Sequence, residues 1–171
     1  MVIIKTFTLL TMKIVINKLW LFVILISFSC SGDPENDLDL VDEPNNSLTT
    51  FELELLARVN DHRRSQGLEI LHYNEIAYQA ALSHTNYMIT EGSISHDGFN
   101  QRAEDLFEKL GAESVSENVA SRFNTAEDVI NAWLNSLEGH RENIEGNFTH
   151  TAIAARKDAN GDYFYTQLFY R

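Results

Sequence analysis

After residue 48 the apolar residues change their spacing once, and that change limits the folds open to this chain. Leu55, Leu56 and Val59 fit one face of a helix starting near Thr50 and stopping by Gly67. Ile76, Ala77, Ala80, Ala81, His84, Tyr87 and Met88 mark a second, closed by Gly92. A third is predicted over residues 101–110, with Leu106, Phe107 and Leu110 inward and Gly111 at its stop. Asn124, with Glu127 three residues on, reads as the cap of a fourth, whose stripe is Val129, Ile130, Trp133, Leu134 and Leu137. Then the period shortens. Residues 151–155 and 163–169 read as strands on either side of Asn160-Gly161, a strong hairpin turn, and short strands fit residues 70–73 and 117–120. Helices followed by a terminal hairpin predict an α+β domain over residues 48–171, with helices covering a small antiparallel sheet.

The charge distribution separates this domain from what precedes it. No Asp or Glu occurs before Asp33, whereas Lys5, Lys13 and Lys18 precede the apolar run that begins at Leu19 and ends at Ser27-Phe28-Ser29-Cys30. A basic start, a short apolar centre and small residues describe a secretory signal over residues 1–30, in which Met12 could serve as the start. The run is shorter than the roughly 20 residues a spanning helix needs. Cys30, the only cysteine, resembles the lipidated cysteine of bacterial lipoproteins, although Ser27 stands where Leu is usual. That resemblance implies a membrane partner through Cys30 and a place in the cell envelope. Residues 31–47 are polar and acidic, hold both prolines and lack periodicity, which predicts a flexible tether. The tether is similar to the surface-export signal of Bacteroidetes lipoproteins and equally suits a plain spacer. Beyond Cys30, ten basic residues face 25 acids, which excludes a nucleic-acid-binding surface.

The common catalytic signatures are missing: no G-x-S-x-G, H-E-x-x-H, C-x-x-C or glycine-rich phosphate loop occurs. Asp158-Ala159-Asn160-Gly161-Asp162 begins like a calcium loop but lacks its later Glu, and the hairpin accounts for it better. What remains is a set of polar blocks at element ends.

Those blocks, in order, are Val59-Asn60-Asp61-His62-Arg63, Leu71-His72-Tyr73-Asn74, His84-Thr85-Asn86-Tyr87-Met88, Ser95-His96-Asp97-Gly98, Glu117-Asn118-Val119-Ala120, Trp133-Leu134-Asn135-Ser136 and Gly139-His140-Arg141-Glu142-Asn143-Ile144. Phe148-Thr149-His150 then enters the hairpin. Together they resemble the CAP superfamily of cysteine-rich secretory proteins, antigen 5 and pathogenesis-related proteins, and within it the bacterial SCP-like extracellular branch. The resemblance implies a three-layer α-β-α sandwich with two His and two acids around one cleft. The matching positions are His96, Glu117 and His140, with Ser136 where the family has its second Glu; Glu138 is the adjacent substitute to weigh.

Two imidazoles and a carboxylate suit a divalent ion such as Zn²⁺, with a position left open for water or ligand. Such a water could attack a carbonyl, which makes His96, Glu117 and His140 the catalytic candidates of a metal-assisted hydrolase. Without a metal, the cleft would hold a small-molecule, lipid or protein ligand (sterol and lipid binding are known in parts of the family), or the cluster would only fix the loops of an envelope protein. The binding module is the favoured expectation. His84, on an apolar stripe, is expected to be a core histidine bonded to backbone. His150 is a minor candidate to approach His140, and Trp133 is expected in the core.

Overall fold

The computed structural model describes residues 48–171. The signal sequence, Cys30 and tether therefore lie outside the described residues. In chain order the elements are α1 (Thr50–Ser65), β1 (His72–Tyr73), α2 (Glu75–Glu91), α3 (Phe99–Leu110), β2 (Val115–Ser121), α4 (Ala126–Leu134), α5 (His140–Ile144), β3 (His150–Lys157) and β4 (Tyr163–Tyr170). The four strands form one sheet in the order β1-β3-β4-β2. β3 and β4 are the expected hairpin, and β4 pairs with β2 antiparallel across seven residues, from Val115↔Tyr170 to Ser121↔Phe164.

Strand periodicity sorts the core into two halves. Ile153, Ala155, Tyr165 and Phe169 face one way and pack with Leu55, Val59, Val129, Ile130, Trp133 and Ile144 of α1, α4 and α5. Ala152, Ala154, Leu168 and Tyr170 face the other way and pack with Ala77, Tyr78, Ala81 and Leu106 of α2 and α3. Helices thus cover both faces of the sheet: a three-layer α-β-α sandwich. Neither layer would be stable alone, since each amphipathic stripe needs the sheet to bury against.

Four details differ from the sequence reading. β1 pairs with β3 in parallel, so the sheet is mixed; a two-residue strand carries no pattern that fixes its direction. The α4 cap is Thr125, whose hydroxyl accepts from the Asp128 amide, not Asn124. Because α4 ends at Leu134, Leu137 lies beyond the helix and is fully exposed, and Phe107 also faces solvent. A fifth helix, α5, is too short to show a stripe. His84 and Trp133 are buried as expected.

Candidate functional site

The site is organised by the edge strand β2. Successive side chains of a strand point to opposite faces, so Glu117 reaches toward α3 while Asn118 reaches toward α5. Two loops, each ending in a left-handed glycine that opens a short or medium helix, carry the histidines. Gly98 (φ 70°) lets the His96-Asp97 loop turn directly into α3, and Gly139 (φ 86°) does the same for His140 at the start of α5.

On the α3 side, Glu117 is the centre. Its side chain is 1% exposed, and both oxygens are occupied. His96 Nδ1–H donates to Oε1 at 2.8 Å, Arg102 Nη2 donates to the same oxygen at 2.8 Å, and Arg102 Nε donates to Oε2 at 2.8 Å. This planar two-point pairing is what a guanidinium does best with a carboxylate. Arg102 Nη1 also donates to the Asp97 carbonyl at 2.7 Å, so one arginine fixes both the acid and the loop carrying His96. The His96 side chain is nevertheless 54% exposed. Its Nε2 has no partner among the described residues. Beneath it, buried His84 donates from Nε2 to the Ser95 carbonyl at 2.7 Å and lies 3.9 Å from Glu117. Burial holds His84 below the ordinary imidazole pKa, outweighing the Ser95 carbonyl and the Glu117 charge.

On the α5 side, His140 Nδ1 meets Ser136 Oγ at 2.9 Å. That hydroxyl accepts from the Glu138 amide and keeps a donor and a lone pair for the ring, so either tautomer fits. Burial, aided by the nearby His96 ring, holds His140 below the ordinary imidazole range against the pull of Glu138. The loop is tied to β2 by three side-chain bonds. Asn118 Nδ2 donates to the His140 carbonyl at 3.1 Å, and Asn143 Nδ2 donates to Asn118 Oδ1 at 2.9 Å and to the Glu117 carbonyl at 3.3 Å. The opening-helix block supplies the far support. Arg63 donates to the carbonyls of Ile144 (2.6 Å), the last residue of α5, and of Gly146 (2.9 Å) just beyond it, and Asn60 clamps both backbone groups of Leu71.

His96 and Glu117 therefore meet directly, Ser136 and His140 meet directly, and the two pairs are joined through Asn118, Asn143 and the mutual field of the imidazoles. A cavity of about 270 Å³ is lined by His96, Phe99, Val115, Ser116, Glu117 and Asn143, with His140 outside its lining. Glu138 is exposed, and its charge acts on the His140 ring. His150 is not near His140: it packs against Tyr170 and His72. Asp158 is used by the hairpin itself, accepting from the Asn160 and Asp162 amides.

Arg102 is the residue that motif reasoning missed. Its signal was present: Arg102 lies four residues before Leu106, on the inward stripe of α3, where a cation needs a buried anion. Its presence also changes the chemistry open to the cluster. Among the described residues no group of three His, Cys, Asp or Glu could hold a metal. Glu117 is spent on Arg102 and His96, so it fits the role of orienting His96 and not that of ligand, nucleophile or free base. The imidazoles of His96 and His140 fit a divalent ion's preference for neutral nitrogen; the remaining positions would fall to water or a ligand.

A larger cavity, about 740 Å³, lies between α2 and α3, with Ile76, Ala80, Tyr87, Leu106, His84 and Arg102 in its wall. Its charges are already internally paired: Arg102 with Glu117, Lys109 with Asp105, and the Tyr87 hydroxyl with Asp97. Size alone does not make it the better site.

The cysteine-rich secretory protein (CAP) family model matches residues 56–169. The uncharacterized protein YkwD of Bacillus subtilis (strain 168) is 31% identical over 111 residues, which are 63% of this chain; the match spans 43% of the length of YkwD. An extracellular protein containing a SCP domain from Bacillus anthracis str. Ames superposes with a TM-score of 0.60 at 26% identity, over 73% of this chain and 44% of that one. An outer surface protein from Borrelia burgdorferi shares the fold at a TM-score of 0.64 and 19% identity, over 73% of this chain and 96% of its own. The matched span includes every residue of the two-histidine site, and on that basis this chain belongs to the CAP, or cysteine-rich secretory protein, family.

Proposed function

We propose that this protein is an exported, membrane-tethered binding module whose ligand or protein partner is recognised at the outer edge of β2, with His96 as the principal contact group. The tether is Cys30, on the strength of the signal-like sequence before it, and the extracellular or outer-surface character of similar proteins agrees with export. One observation carries the reading. A wholly buried carboxylate, neutralised by a two-point arginine, is used to hold an exposed imidazole in one orientation. Fixing an exposed ring has an entropic cost that a purely structural cluster would not incur; a recognition surface requires it. A divalent ion would be held by His96 and His140, with Glu117 and Ser136 behind the rings. In the hydrolase alternative Glu117 is not the base, because Arg102 and His96 occupy both its oxygens, and the unpartnered Nε2 of His96 would have to serve instead.

Zn²⁺ calorimetry tests the metal-binding part. In protein carrying His72→Gln and His150→Gln, so that the histidines at the β1–β3 edge cannot contribute, one ion should bind, and His96→Ala and His140→Ala should each abolish binding. Affinity should fall on acidification, because protons compete with the ion for the imidazole nitrogen of His140, whose pKa burial holds below the ordinary range. Retained affinity in both variants would remove the ion from the proposal. A peptide and ester screen addresses the enzyme alternative, since turnover lost in His96→Ala would overturn the binding module.

A further inference from the structure

His72 and His150 lie on neighbouring strands, outside the site described above, and the sequence reading did not pair them. They are Cα partners in the parallel β1–β3 ladder, whose backbone is fixed by His72 N–H to the Thr149 carbonyl at 2.9 Å and Asn74 N–H to the Thr151 carbonyl at 3.2 Å. Being in register places both imidazoles on one face, with ring centres 5.9 Å apart and planes inclined by 52°. Two imidazoles bound to one ion at about 2.0–2.1 Å per nitrogen put their ring centres roughly 5–6.5 Å apart. The observed spacing falls within that range before any ion is added.

The surroundings prepare the ligand nitrogens. The Thr149 hydroxyl donates toward the Tyr170 carbonyl at 3.5 Å, leaving its oxygen to accept from His150 Nδ1–H at 2.8 Å. That bond selects the tautomer with a lone pair on Nε2, the arrangement that outer hydrogen bonds impose on metal-binding histidines. The Tyr170 ring stacks on His150 at 4.9 Å and 15°, which holds the imidazole against the sheet. His72 is exposed and His150 half-buried, so an ion has open access.

We propose that His72 and His150 form a two-histidine surface site for a divalent transition ion that favours imidazole, with water completing the coordination and Cu²⁺ bound most tightly. The choice of Cu²⁺ follows from nitrogen donors and the ordering of divalent-ion affinities. The site is independent of the β2 cleft.

The test uses the tag-free protein carrying His96→Gln and His140→Gln, so that the cleft cannot contribute, titrated with Cu²⁺ alone and followed by calorimetry and electron paramagnetic resonance. One ion should bind, with a spectrum showing coupling to two nitrogens. Adding His72→Gln or His150→Gln should weaken binding by roughly tenfold or more and remove one nitrogen coupling. Unchanged circular dichroism in the His72→Gln protein would exclude misfolding, as expected for an exposed side chain. Cu²⁺ binding that survives both substitutions at full strength, or a spectrum with a single nitrogen in the parent protein, would overturn the proposal. Neither result bears on Zn²⁺ at His96 and His140, which is read in the protein that retains them.

Discussion

Glu52 and Glu117 are both buried carboxylates bound to an arginine, yet they end in opposite kinds of environment. Glu52 is 0% exposed and closes on itself. Oε1 accepts from Arg156 at 2.6 Å and from the Ala155 amide at 2.8 Å, Oε2 accepts from the Thr49 amide at 2.7 Å, and the Tyr78 hydroxyl bridges to Arg156 at 2.6 Å. Every partner belongs to the body of the fold: the α1 cap, α2 and β3. Burial alone would lower Arg156; Glu52 and Tyr78 together carry it above the ordinary guanidinium value. Glu117 has the same kind of arginine and the same depth, but its third partner is a ring that faces water. The difference separates a lock from a mount. A lock spends all its bonds inward, whereas a mount spends them on holding one exposed group.

The sharpest way to break that comparison is to remove each acid in turn. Glu52→Ala should cost about 3–5 kcal/mol, because it strands a partly buried guanidinium and a buried backbone amide and also removes one half of the α1 capping box. Urea unfolding would measure it, and the His96 ring resonances should stay where they are. A loss below about 1 kcal/mol, or a shift at His96, would mean the two networks are not separate.

Glu117→Gln should have a smaller effect on stability, about 1–3 kcal/mol, since the amide keeps the shape and one acceptor while losing the charge opposite Arg102. Its effect on the site should be the larger one. Without the carboxylate the ring loses its anchor, and Zn²⁺ affinity at His96 and His140 should fall about 10–100-fold, as second-layer losses do elsewhere. Calorimetry on folded protein separates the two effects. Full affinity in Glu117→Gln would make the acid a second lock.

The same contrast explains which parts of the molecule could be read from the chain. Local chemistry was legible: Asn160-Gly161 gave the hairpin, Gly92 and Gly111 the helix stops, and period-two runs gave β3 and β4. The candidate residues His96, Glu117, Ser136 and His140 were found through ordered family blocks, and geometry then sorted them into two linked pairs. What escaped depends on contacts distant in sequence. Glu52 sits on the stripe of Leu55 and Val59, and Arg102 on that of Leu106, so each is a charge on a buried face, a signal that motif reasoning passed over; only the fold reveals that their partners are Arg156 and Glu117. The direction of β1 is a matter of two backbone bonds to the segment after α5. Leu137 looked like a fifth stripe residue because periodicity cannot see that α4 stops at Leu134, and Ser136 leaves the helix to reach His140.

Acidification provides the finest distinction, because a titrating group borders only one of the networks. His84 lies against Glu117, with Arg102 and His96 acting on the same ring, and no histidine touches Glu52. Burial lowers the folded pKa of His84 below its unfolded value, so the unfolded chain binds the proton more readily. The stability contributed by the neutral ring is therefore complete above about pH 6.5 and declines as pH falls from there toward the folded pKa. His140 and His150 are shifted in the same direction and add to the slope. Unfolding free energies measured between pH 7.5 and 5.5, above the ordinary carboxylate range, should fall in wild type and fall less steeply in His84→Gln, whose amide can still donate to the Ser95 carbonyl. In Glu52→Ala the slope should match wild type, because the lost network contains no histidine. A slope altered by Glu52→Ala and untouched by His84→Gln would reverse the assignment of lock and mount.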